Sequence, residues 1–319
     1  MKSMVPARVA WLPVLMAVAL LCSCGKNTTL PSKPEATSSG ITIRVATYNV
    51  RNYNSIARRV DGAYKPDWPK PEVEKTALRT VIIAAHPDIL ALEEMGGQPQ
   101  LDELRHDLSA AGLNYDYSFW VNGPDPDRHI ALLSHIPFAH IQPHENVPFK
   151  LSGNTLQSPR GLLEVEFITN GQTWVLYAVH LKSRLTETAD DPQSAAEREA
   201  EAKAVRDVIR KEQDLAKGTL VAVVGDFNDA RDSAPLKRFL DLDGKPLFAI
   251  APTADSHGET WTSSYGRADE YDRSDYILLS PTLLPLQKKP GGIADLPASL
   301  IASDHRLVWV DLQFPGASH

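Results

Sequence analysis

The sequence predicts a mixed α/β protein of the α+β kind, with two packed, mostly antiparallel β-sheets flanked by helices. Two observations lead there. Apolar runs of strand length recur along the chain at residues 41–50, 89–92, 130–133, 162–168, 174–181, 220–224, 276–279 and 307–314. Helical segments fall between them irregularly, and 162–168 with 174–181 has the spacing of a hairpin. That pattern suits a two-sheet sandwich better than a strictly alternating parallel barrel.

Each element has a local reason. Leu163, Val165 and Phe167 alternate with Glu164 and Glu166, as in a strand with one buried face. Leu220–Val224 is apolar throughout, which places it centrally. Residues 73–86 carry Val73, Ala77, Val81 and Ala84 or Ala85 at helical spacing, and 100–111 is a second amphipathic stretch. Ser194-Ala195-Ala196-Glu197 reads as a capping box opening a long charged helix to about Lys217. Residues 233–240 form one more short helix.

The N-terminus reads differently. Lys2 and Arg8 precede an apolar run from Val9 to Leu21, then small residues and cysteines, a secretory signal over residues 1–23. The run falls short of the about 20 residues a membrane span needs. Leu21-Cys22-Ser23-Cys24 resembles the cleavage box of bacterial lipoproteins, which makes Cys24 the lipidated residue. Simple secretion after nearby cleavage is the alternative. Lipidation gives an extracytoplasmic protein held to a membrane only through its lipid, without a disulfide. Residues 24–40, rich in Ser, Thr, Pro and Lys, form a flexible linker, and 41–319 form one domain, expected to be a monomer. Thirty-three basic against forty acidic residues give −7, and loss of Lys2 and Arg8 leaves 31 against 40, or −9. Such a surface does not attract DNA generally, so a phosphate-bearing substrate needs a local site helped by cations.

Polar residues gather where the apolar runs end or begin. Gly225-Asp226-Phe227-Asn228-Asp229 follows 220–224, and period-two alternation places Asp226 and Asn228 on one side. Asp226 can deprotonate a water, and the Asn228 amide can donate to a developing oxyanion. Asn49, Glu93-Glu94 and His180 end other runs; Asp275 and Asp304-His305 precede runs. In a mostly antiparallel sandwich, such ends share one rim. Carboxylates, amides and histidines without cysteine suit Mg²⁺, Mn²⁺ or Ca²⁺ and metal-assisted attack of water on a phosphate ester.

The motifs TYNV, PDILALEEM, ALLSHIP, VHLKS, GDFND, DRSDYILLS and SDHRLVWVDL span residues 43–311. In this order they resemble the endonuclease/exonuclease/phosphatase, or DNase I-like, superfamily, which includes repair nucleases, secreted deoxyribonucleases, inositol polyphosphate phosphatases and neutral sphingomyelinases. The resemblance implies a four-layer sandwich and a metal-dependent phosphoesterase. It implies Glu94 as metal ligand, with Asn49 and Asp304 at or near the metal. Asp226 would activate water, Asn228 and His180 would hold phosphoryl oxygens, and His305 would contact the phosphate, oriented by Asp275. The sequence departs from the family at Glu93, usually Gln, which alternation points away from Glu94. It also departs at Arg51, and at Ser274, usually apolar and a minor change.

Arg160, Arg51, Trp261 and Tyr271 are further candidate substrate contacts. For Arg160 a plain surface arginine is the alternative, and for the loops 51–70 and 261–271 it is simple packing. His135, His140 and His144 are not expected to bind zinc, because Pro137 and Pro143 break any helix aligning them and no cysteine joins them. The leading function is a secreted, lipid-anchored phosphodiesterase or nuclease, its partner a phosphodiester, nucleic acid or oligonucleotide included. The alternatives are a phosphatase or sphingomyelinase-like enzyme on lipid or inositol phosphate headgroups, and a non-catalytic binding module of the same fold.

Overall fold

The computed structural model describes residues 40–186, 189–266 and 268–316. Thirteen strands build two sheets. In chain order they are β1 (Ile41–Tyr53), β2 (Ile89–Met95), β3 (Tyr117–Trp120), β4 (His129–Ser134), β5 (His140–His144), β6 (Leu162–Thr169) and β7 (Gln172–His180). Then come β8 (Val221–Asp226), β9 (Ala249–Ile250), β10 (Thr253–Ala254), β11 (Asp275–Leu279), β12 (Gly291–Ile293) and β13 (Val308–Phe314). The first sheet runs β10-β12-β13-β1-β2-β4-β3 and the second β9-β11-β8-β7-β6-β5. Both are mostly antiparallel, but the pairs β1/β2 and β7/β8, which carry the candidate site, are parallel. Their chain-terminal ends therefore emerge together.

Three apolar clusters explain the layering. Val45, Ile89, Leu163, Leu176, Val224 and Val310 fill the space between the sheets. On the outer face of the first sheet, α1 (Glu72–Ala85) and α2 (Gln98–Ala110) pack through Leu78, Val81, Ile82, Leu101 and Leu104. On the outer face of the second, α3 (Ala195–Glu212) and α4 (Ala234–Leu240) contribute Ala202, Val205, Ile209, Leu236 and Phe239. The four layers are helix, sheet, sheet, helix, as expected from the sequence.

Eight strands and the hairpin β6/β7 fall where the runs predict, and β8 lies inside its sheet with every residue buried, whereas β3, β5, β9, β10 and β12, short or at the sheet edges, correspond to no run. Four local expectations are corrected. Val73 is 65% exposed, so the buried stripe of α1 begins at Ala77. Glu164 is buried rather than solvated, because His144 Nε2 and Gln213 Nε2 reach its carboxylate. Ser194 adopts a left-handed conformation and makes no cap; Asp191 takes that place, accepting from the amides of Ala196 and Glu197 at 3.1 Å. Finally, α3 stops at Glu212, because Gln213 turns extended to donate to Glu164 and Tyr177, and Leu215–Lys217 is a separate 3₁₀ turn.

The two loops are hairpins at least in part: Ile56–Val60 with Ala63–Trp68, and Ser263–Tyr265 with Glu270–Asp272. Among the described residues, no helix is long and apolar enough to cross a membrane. Residues 1–23, Cys24 and nearly all of the 24–40 linker lie outside the described residues.

Candidate active site

The site begins with a registration across the second sheet. In the ladders, His180 is opposite Asp226 and Asp226 opposite Asp275, so three neighbouring strands present these side chains at one edge. Gly225 makes the close approach feasible. Its φ is +142°, and a Cβ there would lie 1.9 Å from the Val179 carbonyl oxygen. Past the strand, Asn228 turns left-handed (φ 53°), and its amide N–H donates to Asp226 Oδ1 at 2.8 Å. Asp226 and Asn228 are thus joined by an Asx-type turn and not, as expected, by strand alternation. The Asn228 side-chain amide donates to Leu181 O at 2.9 Å, which leaves its second N–H for another acceptor.

The first sheet meets this edge through Asn49. Its Nδ2 donates to Asp226 Oδ2 at 3.0 Å and lies 3.4 Å from Glu94 Oε1. Its Oδ1 accepts from the Arg51 amide at 3.0 Å, so the nitrogen of this residue faces the carboxylates. Glu94 sits in a β-bulge with φ 58°, and its Oε2 accepts from Asn52 N at 2.9 Å. Alternation holds as far as Glu93, which shares the inter-sheet face of Val45, Thr47 and Ala91 and so lies behind the site; it is the bulge that turns Glu94, otherwise due on the outer face with Leu90 and Leu92, back to the rim. Glu93 is fully buried, accepts from Thr47 Oγ1 at 2.7 Å, and leaves Oε2 without a hydrogen-bond partner. Burial, together with Asp275 and Asp226 nearby, pushes its carboxyl well above the usual range, against the Thr47 hydrogen bond.

His305 completes the constellation. Its Nδ1 lies 2.9 Å from Asp275 Oδ2 and its Nε2 3.9 Å from Asp226 Oδ2, with His180 Nε2 3.8 Å from the same oxygen. Burial disfavours the charged imidazole of His305, but Asp275 and Asp226 outweigh it and hold the pKa well above its ordinary value. His180 is the reverse case: burial, then Arg160 and His305, push it well below, so it is neutral near pH 7. Burial and the adjacent Asp275 raise Asp226 to about 7, against His305 and the two hydrogen bonds from Asn228 and Asn49.

Several contributors were not legible beforehand. Ser303 Oγ donates to Asn49 O at 2.8 Å and accepts from His305 N at 3.1 Å, tying the segment before β13 to the end of β1 behind the site. Ser274 Oγ donates to Asp275 Oδ2 at 3.0 Å, so its replacement of an apolar residue is not minor. Thr262 Oγ1 accepts from the amides of Ser274 and Asp275. The one available signal was Ser274 itself, a hydroxyl where the neighbouring strands carry apolar residues.

The remaining candidates divide. Asp304 lies 3.5 Å from Arg51 Nε, which puts both at the rim. Arg160 is not a plain surface arginine: it is buried, with Nε 3.3 Å from Asp125 Oδ2 and Nη1 without a hydrogen-bond partner. Trp261 has the Arg306 guanidinium 4.1 Å above its ring and Tyr271 at its edge, so much of its surface is taken by packing. Tyr271 is exposed, as is Tyr64 on the 56–68 hairpin, whereas Arg58 at the base of that hairpin packs against backbone carbonyls. His135 stacks on Tyr115 and His144 pairs with Glu164, and neither belongs to a ligand cluster. Among the described residues, the one group of three ligand-type side chains within 4.8 Å is Asp226, Asp275 and His305.

The donor set fits a hard divalent cation. Glu94 Oε1 has only the long contact to Asn49, and the rim offers oxygen ligands without cysteine.

Comparison with known proteins places these features in a family. No curated protein matches the chain. Solved structures do. The human Nocturnin catalytic domain with bound sulfate is 19% identical, with a TM-score of 0.58 over 86% of this chain and 94% of that one. An endonuclease/exonuclease/phosphatase from Bacteroides vulgatus is 19% identical (TM-score 0.59; 86% and 99% covered). Sphingomyelinase C from Streptomyces griseocarneus is 18% identical (TM-score 0.57; 85% and 99% covered). At these identities the likeness is one of fold. The family model described as Endonuclease/Exonuclease/phosphatase matches residues 46–305, almost the whole folded domain, and the chain belongs to that family, whose members are hydrolases of phosphoesters.

Proposed function

We propose that the protein is a divalent-metal-dependent phosphodiesterase or nuclease. The observation that carries this reading is the cross-sheet bond from Asn49 to Asp226, which sets an acid–base group beside the Glu94 carboxylate, whose Oε1 has only a long contact, 3.4 Å, to the same amide. Asp226, raised to about 7, is suited to accept the proton of an attacking water. As the water oxygen bonds to phosphorus and the ester bond breaks, charge develops on the phosphoryl oxygens. The protonated His305, the free N–H of Asn228 and the neutral His180 are the donors available to it. Arg160 and Arg51 stand where they would attract further phosphate oxygens.

Glu94 would hold the cation, with Asp304 on the same rim beside Arg51. Asn49, its nitrogen turned to the carboxylates and so not available as the ligand expected, would position Glu94. The cation, when bound, would polarise the phosphoryl group and offset its charge. Magnesium suits this set, and manganese or calcium would also be accommodated. A binding module without catalysis would not require Asp226, Asn228 and His305 in this arrangement.

A second reading, hydrolysis of a lipid phosphate headgroup, has one observation in its favour. Leu300 and Ile301 are 67% and 51% exposed and closely precede the Ser303–His305 segment. The two readings separate in one screen of the purified protein with Mg²⁺ against plasmid DNA, RNA, bis-p-nitrophenyl phosphate, inositol phosphates and sphingomyelin vesicles. Turnover of the diester and a nucleic acid, abolished by EDTA and restored by Mg²⁺ or Mn²⁺, is the expected outcome. Glu94→Gln should raise the Mg²⁺ requirement by at least about tenfold. Full activity in EDTA would sink the metal mechanism, and turnover confined to vesicles would favour the lipid reading. We also propose that Cys24 anchors the domain outside the cytoplasm. Mass spectrometry of the N-terminal peptide from membranes should find a diacylglyceryl-modified Cys24, and an unmodified chain found only in the medium would contradict it.

A further inference from the structure

The first turns of α3 contain two buried charges that the catalytic reading leaves unused. Along this helix, Ala202, Val205 and Ile209 form the apolar stripe against the second sheet. Continued toward the rim, the same face presents Arg198 and Glu201, both fully or almost fully buried. Burying charge is costly unless every polar atom is engaged. Here they are. Glu201 Oε1 accepts from Ser158 Oγ at 2.6 Å and Oε2 from the Lys182 amide at 2.7 Å. Arg198 donates through Nε and Nη2 to Asp229 Oδ2 at 2.9 and 2.8 Å, and through Nη1 to the carbonyls of Lys182 and Gln193 at 3.2 and 2.9 Å.

The partners are not scattered. Lys182 follows His180 by two residues, and both its N–H and its carbonyl are held by α3. Asp229 directly follows Asn228. Ser158 precedes Arg160 by two. A hydrophobic pair would bury the same surface at less cost, so these charges serve the geometry of the three segments they grip.

We propose that Arg198 and Glu201 are positioning residues: from one turn of α3 they fix the three segments that carry His180, Asn228 and Arg160. The proposal rests on the phosphoesterase reading of the rim only for its effect on turnover. The mechanical part stands apart, because the bond from Lys182 N to Glu201 is directly observable as amide protection.

The test uses Glu201→Leu, Glu201→Gln and Arg198→Met in the full chain. Leucine fills the same volume, so the fold is expected to persist, but it leaves the Lys182 N–H and Ser158 hydroxyl without their acceptor. Glutamine can accept from Lys182 N through Oε1 while its amide donates to Ser158 Oγ, so it should recover most of what leucine loses. Hydrogen exchange should run at least about tenfold faster at residues 158 and 181–182 in Glu201→Leu, and at 227–229 in Arg198→Met, which releases Asp229, with α1 unchanged in both. In hydrolysis of bis-p-nitrophenyl phosphate with Mg²⁺, kcat should fall by about ten- to a hundredfold with a smaller change in KM. Leu108→Ala, a core change in α2 remote from the rim, should lower the melting temperature without that loss of kcat.

Unchanged exchange at 158 and 181–182 in Glu201→Leu, or at 227–229 in Arg198→Met, overturns the inference. So does a kcat loss that Leu108→Ala reproduces at equal melting temperature, or that glutamine fails to recover. Segments loosened in the variants of a protein whose wild type hydrolyses none of the phosphoesters would overturn the proposed function while supporting the clamp.

Discussion

His305 stands between two carboxylates, Asp275 at 2.9 Å and Asp226 at 3.9 Å, and its charge state follows from both. If Asp275 acts on turnover by orienting and charging this imidazole, the two residues should be coupled rather than additive. His305→Ala is expected to lower kcat by on the order of 10²-fold or more, the scale of a positioned acid or oxyanion donor. Asp275→Asn should cost less by itself and little more once the imidazole is gone. Losses that multiply independently in the double variant would refute the pairing, and unfolding of His305→Ala would mark a structural histidine. Sequence pattern was informative at this scale, since Asp226, Asp275, His305 and His180 do share one edge. It did not reveal how Glu94 reaches the rim, because no pattern announces its left-handed conformation, which turns it off the outer face that alternation assigns to it.

At the scale of elements, the sandwich was legible because its strands are long, apolar and regularly spaced, and its helices carry plain 3.6-residue stripes. Caps and ends were less so. Asp191 displaced Ser194 as the cap of α3, and Gln213 ended that helix early, both through side-chain contacts that depend on what packs alongside. Gly225 shows how tightly an element can be bound to the site it delivers. An added Cβ would meet Val179 O at 1.9 Å and strain a backbone at φ +142°, between two strands that hold His180 and Asp275. Gly225→Ala is therefore expected to destabilise the fold by about 3 kcal/mol or more, a clash and a strained conformation acting together. The urea midpoint measures this. A shift worth less than about 1 kcal/mol would mean that β7 and β8 can separate without cost.

For the whole molecule, pH acts through histidines that folding buries. Burial lowers the pKa of His129 against its hydrogen bond to Val121 O, and it lowers His135 and His180 as well, from an ordinary value of 6.5. Their folded pKa values lie below the unfolded one, so below about pH 6.5 the unfolded chain binds more protons. The stability these groups support is complete above that point and is lost as pH falls through the folded values. His305, raised instead, contributes stability below 6.5 that disappears as pH climbs through its folded pKa. Asp226, raised from 3.8 to about 7, makes the fold less stable as pH rises across that interval. Because these contributions overlap, a difference measurement is needed to isolate one. His129 is the suitable group: the Trp120 ring packs against it edge-on, and its Nδ1 meets a carbonyl that glutamine can also satisfy. The stability of the wild type relative to His129→Gln should decline as pH falls from 7.5 to 5.5, by up to about 1.4 kcal/mol for each unit of depression. Urea midpoints at three pH values would show it. A difference that stays flat, or grows on acidification, would mean that His129 is not held neutral by the fold.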